Sequence, residues 1–218
     1  MKDLINFSHM DHQGGNPLPY TIANHILRKI FLEELAQGAR LTESEIAKEL
    51  QVSHIPVREA FYILQNYEIL ERAPRKGVRV KAISRQELAD YANALIELYM
   101  IVLRHSKEKW NSDKHDRLRS YLEEANKQLK EGNLIDYLVK CDQLCRYLFV
   151  VGENKAFLRF YSEITYITTA FCQSRWRSLE TAEKCQHHLQ AAVDALIEGN
   201  MDLAAAELEN VTRYSINT

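Results

Sequence analysis

The sequence predicts a mainly α-helical protein in two parts, three helices with a short basic hairpin followed by an antiparallel bundle of about six helices. Three observations carry this. Apolar residues recur every three or four positions from Tyr20 almost to the C-terminus, the spacing of a helix with one buried face. The pattern switches to a period of two only once, over residues 69–81. The 218 residues include only 7 Gly and 4 Pro, too few for a turn-dense β-sandwich or a low-complexity chain.

Residues 1–18, with Gly14, Gly15 and Pro17, lack periodicity and are expected to form a flexible leader; the first domain is expected over residues 19–83. Ile22, Ile26, Leu27, Ile30 and Phe31 place a first helix from Tyr20, with Gly38 as its stop. Thr42-Glu43-Ser44-Glu45 is a capping box: the Thr hydroxyl caps the helix while the Glu three residues on reaches back. It opens a short second helix whose apolar face is Ile46, Ala47 and Leu50. Gln51 and Val52 make a turn, and Ser53 is the expected N-cap of a third helix that buries Val57, Ala60, Phe61 and Leu64. Pro56 is tolerated there because first-turn amides have no intrahelical partner. Residues 69–73 and 77–81 then alternate as two strands around a Pro74-Arg75-Lys76-Gly77 turn. Three helices followed by a basic hairpin is the order of a winged helix-turn-helix.

From Ser84 to residue 218 every segment reads as helix. Starts are expected at the second capping box Ser84-Arg85-Gln86-Glu87, then at Asn111, Asn133, Asn154, Ser178 and Met201, with Gly152 and Gly199 as stops. The joining segments are short, so neighbouring helices should pack antiparallel.

The whole chain carries a formal charge of −2, which gives no general attraction to a polyanion. Locally, Arg72, Arg75, Lys76, Arg79 and Lys81 stand within residues 72–81 with no acid among them, the composition of a phosphate-contacting element or of a solvated loop. No apolar run approaches the ~18 residues of a membrane span. The N-terminus lacks the pattern of a secretory signal, so a cytoplasmic protein without membrane contact is expected. Cys141, Cys145, Cys172 and Cys185 then read as buried thiols, not disulfides. Phosphate-binding loops, dinucleotide fingerprints, nucleophile elbows and zinc-protease motifs are all absent from the sequence, and no catalytic residue is expected.

Residues 41–80 resemble the GntR family of bacterial transcription regulators. The carrying stretch is VSxxPVREAxxxL, filled by Val52, Ser53, Pro56, Val57, Arg58, Glu59, Ala60 and Leu64, in its helix–turn–helix–hairpin context. The all-helical tail is similar to the FadR-like branch, whose second domain is the FCD ligand-sensing domain, and its length to the VanR-type subgroup. The resemblance implies a homodimer that binds double-stranded DNA at a palindromic operator, more often as a repressor. It implies DNA contacts from Ser44, Ser53, His54 and Arg58 and from the wing residues Arg75, Lys76, Gly77 and Arg79. Arginine donates two parallel hydrogen bonds to guanine O6 and N7, the commonest specific contact. The competing role for Arg58 is an ion pair with Glu45 or Glu59. His54 stands where relatives usually have Arg, Ser44 where some do, and Glu68 where relatives commonly have a helix-ending Gly; Asn66 is the alternative left-handed stop.

Many FCD domains hold a metal with an Asp and three His, the first pair spaced Asp-x-x-x-His. Here Asp142 matches, but the next position is Arg146; the second falls on Leu189 beside His188, and the third near Val211. Three of four ligands are missing, so no metal and no cofactor is expected; the improvised set Asp142, Cys145, His187 and His188 is the only substitute. We therefore expect Asp142, Arg146 and His188 to mark an effector site in which Arg146 receives a small organic acid, the alternative being an Arg–Asp pair that fills a vestigial cavity. Two other functions compete with a regulator: a metal-dependent enzyme built in the helical bundle, and a winged helix used for protein contacts.

Overall fold

The structure is a computed structural model that describes residues 18–73, 77–171 and 178–216. The chain divides chiefly after Ser84 into two compact units, and each is described by itself.

In the first unit, α1 spans Leu18–Phe31, β1 Arg40–Leu41, α2 Glu43–Leu50, α3 His54–Asn66, β2 Leu70–Arg72 and β3 Val78–Val80. α1 begins two residues before the first periodic position, with Pro19 in its first turn, and it ends at Phe31 instead of Gly38. Its apolar stripe of Ile22, Ile26, Leu27 and Ile30 is fully buried, and α1 packs on α3, whose Val57, Ala60 and Leu64 are also buried. The capping box of α2 forms as expected: Glu45 N–H donates to Thr42 Oγ1 at 3.2 Å, and Thr42 N–H donates to the Glu45 carboxylate at 2.9 Å. Lys29 and His25 of α1 both reach Glu49 of α2, at 2.8 and 2.9 Å, and the bond from Lys29 holds the Glu49 carboxyl below the usual range.

β1, which the sequence did not announce, pairs antiparallel with β3, giving a three-stranded sheet in the order β1-β3-β2. Arg40 lies opposite Arg79, and Arg79 opposite Glu71. Two further bonds extend the pairing: Gly38 N–H donates to Val80 O, and Val80 N–H to Ala39 O, both at 2.9 Å.

The end of α3 corrects an expectation. Asn66 stays helical and Glu68 takes the left-handed conformation, φ 55°. Ile69 N–H donates to Leu64 O at 2.9 Å and Glu68 N–H to Gln65 O at 3.0 Å, the paired bonds of a Schellman motif. Buried Ile69 and Leu64 supply the apolar contact that accompanies it. Closing these bonds outweighs the ~1 kcal/mol or more that a Cβ costs in that conformation. Glu68→Gly should relieve it. After allowing for the freer unfolded chain and the lost 2.8 Å ion pair with Lys81, we expect a gain of about 0.5 kcal/mol. Slower amide exchange along α3 checks this.

In the second unit, α4 spans Arg85–Ser106 and a single 3₁₀ turn follows at Lys107–Lys109. α5 is Ser112–Lys130, α6 Leu134–Gly152, α7 Lys155–Phe171, α8 Leu179–Ile197 and α9 Met201–Ile216. Asn111 caps α5 through Lys114 N–H at 2.9 Å, Asn154 caps α7 through Ala156 N–H at 3.0 Å, and Ser178 caps α8 through Thr181 N–H at 3.3 Å. Gly152 is not the left-handed stop of α6 but its last helical residue; Glu153 takes φ 55°. A Cβ on Gly152 would stand 2.7 Å from Val102 Cγ2, so the glycine lets α6 approach α4 closely. The principal helix contacts are α8 with α9, α5 with α6, and α9 with α4. Their core is built on Tyr99, Leu118, Tyr137, Leu148, Leu189 and Leu208. The buried Tyr137 hydroxyl keeps a partner by donating to Ala182 O at 3.1 Å.

Cys141, Cys145 and Cys185 are buried thiols that form no disulfide, and Cys172 lies outside the described residues. Burial pushes Cys145 and Cys185 up to about 12 and Cys141 well above its ordinary value. We expect these three to resist Ellman's reagent at pH 8 until the domain unfolds, as mass spectrometry of the labelled sites will record. Their protons stay on in the folded state where unfolded thiols ionise. The stability tied to their burial therefore falls as pH rises past about 8.5.

Candidate DNA-reading surface and effector site

α3 shows a solvent face made of His54, Ile55, Arg58, Glu59 and Tyr62, while Pro56, Val57, Ala60, Phe61 and Leu64 point inward. Ser53 occupies the N-cap position with an extended backbone, but its hydroxyl makes no capping bond and is exposed, as is Ser44 in the first turn of α2.

Arg58 pairs with neither Glu45 nor Glu59. Its Nε and Nη2 donate to the two oxygens of Glu43, each at 2.8 Å, from the third helix to the second. The bond from Arg58 holds the Glu43 carboxyl below the usual range. A guanidinium has five N–H groups, and this fork uses two along one edge. Nη1 and the outward hydrogen of Nη2 remain as a second parallel pair on a side chain 55% exposed. Glu43 thus orients Arg58, a role that no spacing in the sequence announces, since it depends on how α2 crosses α3.

In the wing, Arg75 and Lys76 lie outside the described residues. Gly77 has φ +83°, and a Cβ there would fall 2.6 Å from the Leu41 carbonyl oxygen, so only glycine fits between the hairpin and β1. Among the described cations of the cluster, Arg79 Nε donates to Glu71 at 2.6 Å and Lys81 Nζ to Glu68 at 2.8 Å. Arg40, opposite Arg79 in the register, brings a further exposed cation to the sheet.

In the second unit, Asp142 and Arg146 meet on α6 as the i,i+4 spacing requires, at 3.3 Å. α7 completes the cluster. Arg146 Nη1 donates to Ser162 Oγ at 2.8 Å, and the Tyr161 hydroxyl donates to Asp142 Oδ1 at 2.9 Å. The guanidinium also stands over the Tyr161 ring, 5.2 Å from its centroid. Burial opposes the charge of Arg146, but the Asp142 carboxylate offsets it and the group is held above its ordinary pKa. Arg146 Nη2 is buried and has no acceptor.

His188 is engaged elsewhere. Its Nδ1 lies 2.6 Å from Glu207 of α9, and its ring stacks on Tyr214 at 5.2 Å. Neither partner belongs to the Asp142–Arg146 cluster. Among the described residues no three His, Cys, Asp or Glu side chains are grouped as metal ligands, and none of the improvised set is so arranged. A groove of about 510 Å³ separates α5 from α8, lined by Asn126, Lys130, Glu183, Gln186, His187 and Gln190. No described helix is long and apolar enough to cross a membrane.

Comparison with known proteins identifies both domains. Residues 20–80 match the bacterial regulatory proteins of the gntR family, and residues 90–213 match the FCD domain. The chain is 22% identical over 165 residues to the uncharacterized HTH-type transcriptional regulator YdhC of Bacillus subtilis, covering 75% of this chain and 74% of YdhC. It is 26% identical over 190 residues to a probable D-xylose utilization operon transcriptional repressor of Paenarthrobacter nicotinovorans, covering 84% and 82% of the two chains. The solved structure of McbR/YncC of Escherichia coli superposes with a TM-score of 0.74 at 16% identity, over 91% of this chain and 95% of that one. Lar of Listeria monocytogenes superposes with a TM-score of 0.65 at 18% identity, over 93% and 96%. With a winged helix-turn-helix that presents an oriented arginine, followed in sequence by a helical FCD effector domain, this chain belongs to the GntR family as a DNA-binding transcription regulator.

Proposed function

We propose that the chain acts in the cytoplasm as a homodimeric repressor, not an enzyme, which binds a palindromic operator and responds to a small organic anion. A two-fold dimer presents two copies of α3 related by symmetry, and an operator that engages both shares that symmetry. Repression is the activity named for the Paenarthrobacter relative. In the operator complex, Ser53, His54 and Arg58 meet base edges and backbone in the major groove. Ser44, Arg75, Lys76, Gly77 and Arg79 hold phosphates and the minor groove.

The observation that carries the effector half is Arg146, whose buried Nη2 points a charged donor at no acceptor. A carboxylate beside Nη2 gives that hydrogen its acceptor and adds an ion pair. Asp142 and Ser162 orient the guanidinium from its other edges. His188, tied to Glu207, contributes through the α8–α9 contact instead of touching the same ligand.

Sedimentation and selection from random duplex DNA test the first half: the expected results are a mass twice 25.4 kDa and an inverted repeat. A binding constant that falls steeply with salt separates DNA binding from protein contact. Calorimetry against mono-, di- and tricarboxylates, comparing wild type with Arg146→Met, tests the second half. An acid that binds both proteins equally refutes the role of Arg146.

A further inference from the structure

We propose that Ile55 reads a thymine by packing on its C5-methyl group, which makes it a specificity-determining residue beside Arg58. The proposal rests on the DNA-reading role of α3 given above. Ile55 is 66% exposed, the highest value among the exposed large hydrophobic residues described. It is the second residue of α3, in the first turn, from which recognition helices reach base edges.

Neither folding nor helix formation accounts for an isoleucine there. Its side chain stands outside the core while the next two residues, Pro56 and Val57, are buried. A β-branched residue is also a weaker helix former than the alternatives open to an exposed position. Nor does Ile55 belong to a continuous apolar patch of the kind that docks proteins. Ser53, His54, Arg58 and Glu59 surround it in sequence, all exposed, and the next outward hydrophobic, Tyr62, lies two turns on, beyond Arg58.

An aliphatic side chain in the major groove has one distinctive partner, the thymine methyl, the only alkyl group that the base edges present there. β-branching suits that task. In a helix isoleucine holds one strongly preferred rotamer, so little side-chain freedom is lost when the methyl contact forms. Ile55 and Arg58 are three residues apart, roughly 4.5 Å along the helix axis, against about 3.4 Å per base pair. The thymine is therefore expected within about two base pairs of the guanine bound by Arg58.

The experiment selects an operator with the full-length protein, then replaces each thymine of one half-site in turn by deoxyuridine, which removes only the methyl group. Wild type and Ile55→Ala are titrated against each duplex. Expected is one thymine at which the replacement weakens wild-type binding about fourfold, the worth of one buried methyl-sized group, with no further loss in Ile55→Ala. If wild type binds a selected operator but no thymine shows this Ile55-dependent loss, the proposal fails while the DNA-reading role of α3 stands. If selection yields no preferred sequence, both fail together. Circular dichroism confirms that the variant at so exposed a position remains folded.

Discussion

Arg58→Ala should leave the fold untouched and weaken operator binding roughly tenfold per half-site, hence roughly a hundredfold for a two-fold operator. The fold is spared because the guanidinium is 55% exposed and its one intramolecular fork, to Glu43, is an exposed pair of small worth to stability. Binding is not spared, because the mutation removes a pair of parallel donors already held in orientation by Glu43. The loss should be confined to sequence-specific binding. On DNA without the operator, phosphate contacts dominate and the variant should follow wild type closely with one charge fewer. Glu43→Gln gives a graded companion result: Arg58 stays cationic but loses its orienting carboxylate, so operator affinity should drop only a few-fold. The pairing is insensitive to pH in the working range. Arg58 holds the Glu43 carboxyl below the ordinary range, so the pair forms fully above that range and is lost only as pH falls through the depressed value. Mobility-shift titrations of the three proteins on operator and on unrelated duplex check the whole set.

The second large effect lies in the FCD domain. Asp142→Ala should destabilise it by about 3 kcal/mol, because Arg146, with a side chain only 13% exposed, would keep its charge and lose its counter-ion. That corresponds to roughly 10 °C in the domain's melting temperature. The double change Asp142→Leu with Arg146→Met should melt within a few degrees of wild type, since it removes both charges and fills the space with apolar atoms. The neighbours keep partners in that variant. Ser162 Oγ still donates to Leu158 O at 2.8 Å, and the Tyr161 hydroxyl still faces the backbone carbonyl of residue 142 at 3.4 Å. A well-folded double variant that no longer responds to the organic acid would separate the part these residues play in sensing from their part in stability. Restored ligand response in the same variant would place the sensing group elsewhere in the bundle.

What was legible in the sequence follows the range of the interactions involved. The capping box of α2, the Asn111 and Ser178 helix starts and the buried stripes of α1 and α3 act over three or four residues, and they emerged where the local pattern placed them. The i,i+4 pair of Asp142 and Arg146 was legible for the same reason. β1 was not, because two residues, Arg40 and Leu41, are too few to show an alternation; only their pairing with β3 makes them a strand. α1 was drawn seven residues too long because Leu32 and Leu35 continue the apolar pattern past Phe31, where the chain has already turned. Glu43 beside Arg58, and Tyr161 and Ser162 beside Asp142 and Arg146, depend on helix crossings 15 to 20 residues apart and carried no local signal. His188 was drawn toward the site by its place next to a family ligand position. On a helix one residue is a rotation of about 100°, enough to turn it toward Glu207.

Glu33, Gln51, Glu68 and Glu153 each hold a left-handed backbone just past a helix, where a residue without a side chain would sit unstrained. For the three glutamates the remedy is a single nucleotide, since every glutamate codon becomes a glycine codon by one change at its second base. Increments of stability therefore lie one mutational step away, at positions outside both the Asp142–Arg146 cluster and the outward face of α3. Lineages exposed to heat have this route open before any repacking of the core. Under a laboratory selection at raised temperature, glycine at residues 33, 68 and 153 should be among the earliest changes to spread, and a gene carrying all three would tolerate afterwards the costly substitutions by which a regulator acquires a new operator or a new signal.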